Sequence, residues 1–194
     1  MSNGKVVLAY SGGLDTSVCV RYLQMLNKLD VITVTVDCGQ EDDFKEIEKK
    51  SKAMGAVKHV YIDAREEFAR DYVAPSIKAN GLYQNKYPLA TALARPLIAA
   101  KAVEIANNEG ATSIAHGCTG KGNDQIRFDV TMHALNPKLK IIAPIRATRC
   151  RLRILVLRDR ASPVVLSVAM ACGDFATHSA RRAPVVNHAP PRPR

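Results

Sequence analysis

Seven residues, Ser11-Gly12-Gly13-Leu14-Asp15-Thr16-Ser17, follow directly on the apolar run Val6-Val7-Leu8-Ala9-Tyr10. A strand that ends in a Ser/Gly loop and restarts as a helix leaves several backbone N–H groups unpaired and pointing one way. That is an anion site, and the helix dipole adds to it. Gly12 and Gly13 carry no Cβ, so the backbone can turn sharply and touch a phosphate. The hydroxyls of Ser11, Thr16 and Ser17 add donors, and Asp15 can hold Mg2+ or orient a group. Two better-known phosphate loops are excluded by spacing. Gly120-Lys121-Gly122 has Gly where a Walker-type loop needs Ser or Thr, and no G-x-G-x-x-G follows a strand. Ordinary capping of a strand-to-helix turn is the plainer alternative, and the strand before and the helix after weigh against it.

A second candidate is His116-Gly117-Cys118-Thr119-Gly120-Lys121-Gly122-Asn123-Asp124-Gln125-Ile126-Arg127. Three glycines in six residues make a loop that can lie against a ligand. Thr119, Lys121, Asn123, Asp124 and Arg127 supply donors, acceptors and both charge signs. A zwitterionic amino acid needs that mix: cations for its carboxylate, an acceptor for its amine. A solvated turn is the alternative. A third segment, Tyr87-Pro88-Leu89-Ala90-Thr91-Ala92-Leu93-Ala94-Arg95-Pro96, holds one cation in an apolar stretch, so Arg95 is expected to be a buried or half-buried charge with a partner. By composition alone, Tyr87 reads as a packed tyrosine.

The elements that must position these residues are strands and helices in alternation. Residues 5–10, 31–36, 59–62, 112–115 and 140–145 read as strands. Leu14, Val18, Tyr22 and Leu26 fall on one helix face. Residues 41–54 give a charged helix with Phe44, Ile47 and Met54 on a stripe and Gly55 after its end. Residues 65–77 read as a helix with Phe68 and Tyr72 inward, broken near Pro75. Residues 90–108 read as a long helix, interrupted or started at Pro96 and closed by Gly110. The β-α-β-α order implies an α/β doubly wound parallel sheet covered on both faces. Ligands of such sheets bind at the carboxyl ends of the strands near the switch point, where both Gly-rich loops fall.

The chain has 194 residues, enough for one good core. Neither a signal peptide nor a membrane span is expected, and the cytoplasm is the expected compartment. Five scattered cysteines without a C-x-x-C argue against a disulfide framework or a zinc cluster, the five histidines show no ligand spacing, and no metal-binding residue is expected. The net charge is +10, but residues 1–149 hold 20 Lys+Arg against 16 Asp+Glu, while residues 150–194 hold 8 Arg against 2 Asp. Most of the excess lies in the tail, so residues 1–149 look like an ordinary soluble domain with no nucleic-acid groove.

The first loop resembles the SGGxDS-type loop of enzymes that split ATP to AMP and pyrophosphate. Together, AYSGGLDTS, KYPLATALARP and HGCTGKGNDQIRF resemble argininosuccinate synthase, over roughly residues 5–149. The Gly39-Gln40 pair fits that family too. The resemblance implies ATP, carried with Mg2+, as cosubstrate, and citrulline and aspartate as partners, joined into argininosuccinate with release of AMP and pyrophosphate. The ureido oxygen of citrulline attacks the α-phosphorus, and the aspartate amine then displaces AMP. Carried over, Ala9, Tyr10, Ser11, Gly12, Gly13, Leu14, Asp15, Thr16 and Ser17 bind ATP. Val36, at a position often Ala, meets adenine by its backbone, and Gly117 lies against ATP. Tyr87, Asn123 and Arg127 bind citrulline, and Thr119, Asn123 and Asp124 bind aspartate. Asp15 and Asp124 are the candidate catalytic carboxylates. Ala92 stands where some members have a citrulline-binding Ser, so that role is not carried over. Full-length members are expected to be tetramers, with neither nucleic acid nor membrane as partner.

The resemblance stops near Arg149. Residues 150–194 contain no Lys and no Glu and hold half of the ten prolines. Such a tail reads like a GC-rich gene out of frame, or an Arg/Pro-rich interaction segment. It is expected to be mostly disordered, with one short element near 164–171. The chain alone is expected not to turn over. Two other functions fit the same loop: tRNA thiolation by a related ATP pyrophosphatase, and a non-catalytic nucleotide-binding module.

Overall fold

The computed structural model describes residues 2–120 and 122–147. In chain order it runs β1 (Lys5–Ala9), α1 (Leu14–Met25), β2 (Asp30–Asp37), α2 (Phe44–Ala53), β3 (Lys58–Asp63) and α3 (Arg65–Glu67). A π-helical stretch, Phe68–Val73, leads into α4 (Ala74–Lys78). A small hairpin, β4 (Leu82–Tyr83) and β5 (Tyr87–Pro88), precedes α5 (Ala90–Asn108). Then come β6 (Ser113–His116), α6 (Asn123–Leu135), β7 (Lys140–Ile142) and α7 (Pro144–Ala147). The five long-range strands form a parallel sheet in the order β3-β2-β1-β6-β7. This is the expected α/β doubly wound sheet, and its order reverses at β1.

Strand alternation assigns the two faces. Val7 and Ala9 join Ile32, Val34 and Ile114 in a core with Leu97, Ala99, Ala102 and Ala106 of α5 and Phe128 and Met132 of α6. Val6, Leu8 and Tyr10 face the other way, onto Cys19, Val20 and Leu23 of α1 and Ile47 of α2. Burying a side chain such as Leu8 or Leu23 contributes about 1.5–3 kcal/mol. The alanines of α5 leave it close to the sheet, and this packing carries the helix through Pro96 without the expected interruption.

Several local expectations change. The buried face of α1 is Thr16, Ser17, Cys19, Val20 and Leu23, while Leu14 and Leu26 of the expected stripe are exposed. The small Thr16, Ser17 and Cys19 let the helix sit against the sheet beside Val20 and Leu23, while Leu14 and Leu26 turn outward. Pro75 does not break the 65–77 helix, because it lies in the first turn of α4, where the π-helix hands over to the α register and a missing N–H costs little. The last strand ends at Ile142, since Pro144 starts α7. The tail, with the short element expected near 164–171, lies outside the described residues, as does Lys121. Among the described residues, no helix is long and apolar enough to cross a membrane.

Candidate functional site

The strand order reverses between β1 and β6, so the loops that follow these two parallel strands open a crevice at the sheet's carboxyl edge. The first loop is short. Its helix begins at Leu14 with Gly13 as cap, so Asp15, Thr16 and Ser17 belong to the first turn of α1. Gly13 brings no capping side chain, and among the described residues none caps this helix start. The first N–H groups of α1 therefore remain available to an anion. Gly12 has φ +74°, and a Cβ there would stand 2.8 Å from Ile47 Cγ1. Both facts require glycine. The hydroxyls of Thr16 and Ser17, expected to face a ligand, instead donate to the Gly13 carbonyl at 3.2 and 2.9 Å. Ser17 Oγ also lies 3.0 Å from the buried Tyr10 hydroxyl, and Ser11 Oγ lies 3.3 Å from Thr16 Oγ1. In this structure these hydroxyls hold the loop's shape.

The second loop meets the first at Gly117. A Cβ there would come within 2.9 Å of Thr16 Cγ2, so only glycine lets the end of β6 press on the first turn of α1. The loop is short, for α6 begins at Asn123, capped by Gly122 without a side-chain bond. A second uncapped helix start thus faces the same crevice. His116 anchors the loop from below. Its Nδ1 accepts the Cys118 N–H at 3.3 Å, and its Nε2 donates to Asp129 Oδ1 at 2.9 Å. This assigns the neutral imidazole with the proton on Nε2, and burial accordingly pushes its pKa down. Asp129 also takes Arg146 Nη1 at 2.6 Å, and the ring stacks on Phe128 at 5.4 Å between centroids.

The resulting cleft has a volume of about 580 Å³. It takes Ala9, Tyr10, Ser11, Asp15 and Thr16 from the first loop, Val36 and Gln40 from the end of β2, Arg95 from α5, and Gly117 and Asp124 from the second loop and α6. An adjoining cavity of about 390 Å³ is lined by Cys118, Thr119, Gly122, Asn123, Asp124 and Arg127. Asp124 borders both. Its Oδ2 accepts from Arg95 Nε at 3.0 Å and its Oδ1 from Arg127 Nη1 at 2.7 Å. Burial alone would raise this carboxyl, but the two guanidiniums hold it below the usual aspartate value. Burial raises the thiols of Cys38 and Cys118 to about 11 each, so both are neutral at physiological pH. The Val36 carbonyl accepts from Gln40 Nε2 at 3.0 Å, while Gln40 Oε1 takes the Cys38 N–H at 2.8 Å. A side-chain amide thus already pairs with the backbone edge at the end of β2.

Most of the expected residues converge here. Arg95, expected to have a partner, has Asp124. Tyr87 does not converge: it sits on the hairpin, 58% exposed, and lines neither cavity. Leu14 points its side chain to solvent and can offer only its backbone. The sequence reading gave no role to Gln40, His116 or Asp129. His116 and Asp129 are 13 residues apart on different elements, and no local spacing marks that pair.

Residues 5–158 match the family described as Arginosuccinate synthase N-terminal HUP domain. The chain is 62% identical over 141 residues to argininosuccinate synthase of Pyrococcus furiosus, covering 73% of this chain and 34% of that protein. It is 61% identical over 146 residues to the enzyme of Pyrobaculum aerophilum, covering 75% and 37%, and 53% identical over 146 residues to that of Brevibacillus brevis, covering 75% and 35%. The chain therefore spans about a third of the length of these curated relatives. Among solved structures, a predicted subunit of tRNA methyltransferase from Methanocaldococcus jannaschii superimposes with a TM-score of 0.51 at 20% identity, covering 75% of this chain and 69% of that one. That likeness concerns the fold alone.

Proposed function

Because this chain belongs to the argininosuccinate synthase family, we propose that it is the nucleotide-binding part of a ligase that joins citrulline to aspartate at the expense of ATP. The observation that carries this reading is the pair of glycine-capped helix starts, α1 and α6, facing one cleft with Gly117 pressed on Thr16. On this reading residues 1–149 are the nucleotide-binding domain. The compartment is the cytoplasm, the full-length assembly is a tetramer, and neither nucleic acid nor membrane is a partner.

The N–H groups from Gly12 to Thr16 hold the terminal phosphates, and the backbone of Val36 meets the adenine once the Gln40 amide gives way. Among the described residues no acidic or histidine cluster could hold a metal unaided. Asp15 is exposed and makes no ion pair among them, which fits the way Mg2+ is shared between one carboxylate and phosphates. Bound there, Mg2+ would neutralise phosphate charge. Arg127 and Asn123 take the citrulline carboxylate and amine, and Tyr87 reaches citrulline from the hairpin. Thr119, Asn123 and Asp124 take aspartate. The Asp124 carboxylate keeps lone pairs beyond those used by its two arginines and accepts from the aspartate amine. The ureido oxygen of citrulline bonds to the α-phosphorus as the bond to pyrophosphate breaks. The aspartate amine then bonds to the ureido carbon and AMP departs. The protein's part is positioning and charge stabilisation.

Calorimetry of the full chain tests this. MgATP should bind, and Asp15→Ala or Gly12→Val should weaken it at least tenfold, about 1.4 kcal/mol. Aspartate should protect residues 117–127 from hydrogen exchange when ATP is present, and Arg127→Ala should selectively weaken citrulline. Equal ATP binding by the loop variants, or protection by RNA and by neither amino acid, would overturn the proposal.

A further inference from the structure

Among the described residues, Arg95 is the one lysine or arginine that lines the larger cleft, where Asp15, Asp42 and Asp124 supply three carboxylates. An anionic nucleotide entering that cleft meets a deficit of positive side chains, and Arg95 is placed to answer it. Its guanidinium is held by one edge only: Nε donates to Asp124 Oδ2 at 3.0 Å, and its two terminal nitrogens donate to no protein atom among the described residues. The side chain is 32% exposed, enough to face a ligand and too little to swing freely. It lines one cleft with Ala9 and Tyr10 at the end of β1, Cys38 past the end of β2 and Cys118 past the end of β6. Arg95 therefore faces the edge where the first loop leaves β1, between those two strands.

The location selects a phosphate. In the reading proposed above, on which this inference rests, the first loop takes the terminal phosphates and Val36 the base. What spans the distance between them is the ribose and the α-phosphate. We infer that Arg95 binds the α-phosphoryl group with the free fork of its guanidinium, and that Asp124 is the positioning residue that holds the fork in place. A planar fork suits two oxygens of one phosphoryl group. As the ureido oxygen adds to the α-phosphorus and pyrophosphate leaves, charge on those oxygens is met by donors already oriented, with no reorganisation required. Asp124 thereby links the nucleotide cleft to the amino-acid cavity: the carboxylate that receives the aspartate amine also aims the cation at the reacting phosphorus.

The experiment displaces a fluorescent ATP analogue from the full chain with AMP and with adenosine, which differ by the α-phosphate. The native chain should prefer AMP by at least about tenfold. Arg95→Gln should erase that preference and leave adenosine affinity unchanged. Arg95→Lys, which keeps the charge and loses the fork, should retain only part of it. Asp124→Asn, which keeps Arg95 but weakens its tether, should also reduce it. In phosphorus NMR of bound MgATP, Arg95→Gln should move the α resonance and leave the β and γ resonances in place. An unchanged AMP preference in Arg95→Gln and Arg95→Lys, or an equal loss for AMP and adenosine, overturns the inference while leaving the site reading intact. Failure of the native chain to bind the analogue, or binding indifferent to Gly12→Val, overturns the site reading and the inference with it.

Discussion

The helix starts of α1 and α2 face opposite needs. Asp43 caps α2, its Oδ1 accepting from the Lys45 and Glu46 N–H groups at 3.0 and 3.1 Å. Gly13 caps α1 with nothing, and Gly122 does the same for α6. An N-cap carboxylate or hydroxyl contributes about 1 kcal/mol. The two glycine-capped helices at the cleft forgo that contribution, and α2, which does not line the cleft, keeps it. Donors satisfied by the protein are unavailable to a ligand; since α5, opened by Leu89, also lacks a side-chain cap, it is the glycine turn and the open helix start together that mark the site.

Supplying the missing cap should reverse the bargain. Gly13 has φ −75°, open to any residue, and its Cβ would meet only Ser11 Oγ at 3.4 Å. Gly13→Asp should therefore raise the melting temperature while weakening MgATP by at least about a hundredfold. Two like charges about 4 Å apart repel by about 4 kcal/mol at an effective dielectric of about 20. Gly122→Asp should leave ATP within about threefold and weaken aspartate about tenfold. Calorimetry with each ligand reads both, and an unchanged ATP affinity in Gly13→Asp would break the comparison. In the other direction, Asp43→Ala should cost about 1 kcal/mol in denaturant unfolding and leave both ligands unaffected.

The smallest effect is acidic. Burial lowers the pKa of His116 and of His59, whose Nδ1 lies 2.9 Å from Thr33 Oγ1 and whose Nε2 is buried without a partner among the described residues. Both therefore bind protons more readily when unfolded. Stability is complete above the ordinary histidine value of about 6.5 and falls as pH drops below it toward the folded values. Urea midpoints at pH 7.5 and 5.5 should show the loss, and His59→Gln should reduce it.

The fold was legible because alternation of apolar runs survives any detail of packing. The face of α1 was not. The Leu14, Val18, Tyr22 and Leu26 stripe is the more hydrophobic reading, yet the sheet accepts Thr16, Cys19, Val20 and Leu23 because closeness outweighs side-chain size there. In the site, Gly12 and Gly117 were legible because a missing Cβ is a local property. That Arg95 needs a partner was equally plain from a charge in an apolar stretch. Which partner it takes depends on how α5 crosses α6, and pairs such as Arg95 with Asp124 or His116 with Asp129 exist only once the sheet is assembled.

The position of β1 also sets an order of events during synthesis. Residues 5–9 emerge before every other strand of the sheet, yet they form its middle. One edge of β1 pairs early with β2, through Val6 and Val31, while the other waits for β6, where Val6 meets Ser113. At a ribosomal pace of about 5–20 residues per second, that second edge stays unmatched for roughly 5–20 s. During this interval the nascent chain carries an open, apolar strand edge of the kind that recruits other chains. The strand that ends in the first loop is thus made before the others of its sheet yet completed only with β6, and that loop takes its final shape only after Gly117 has closed against Thr16.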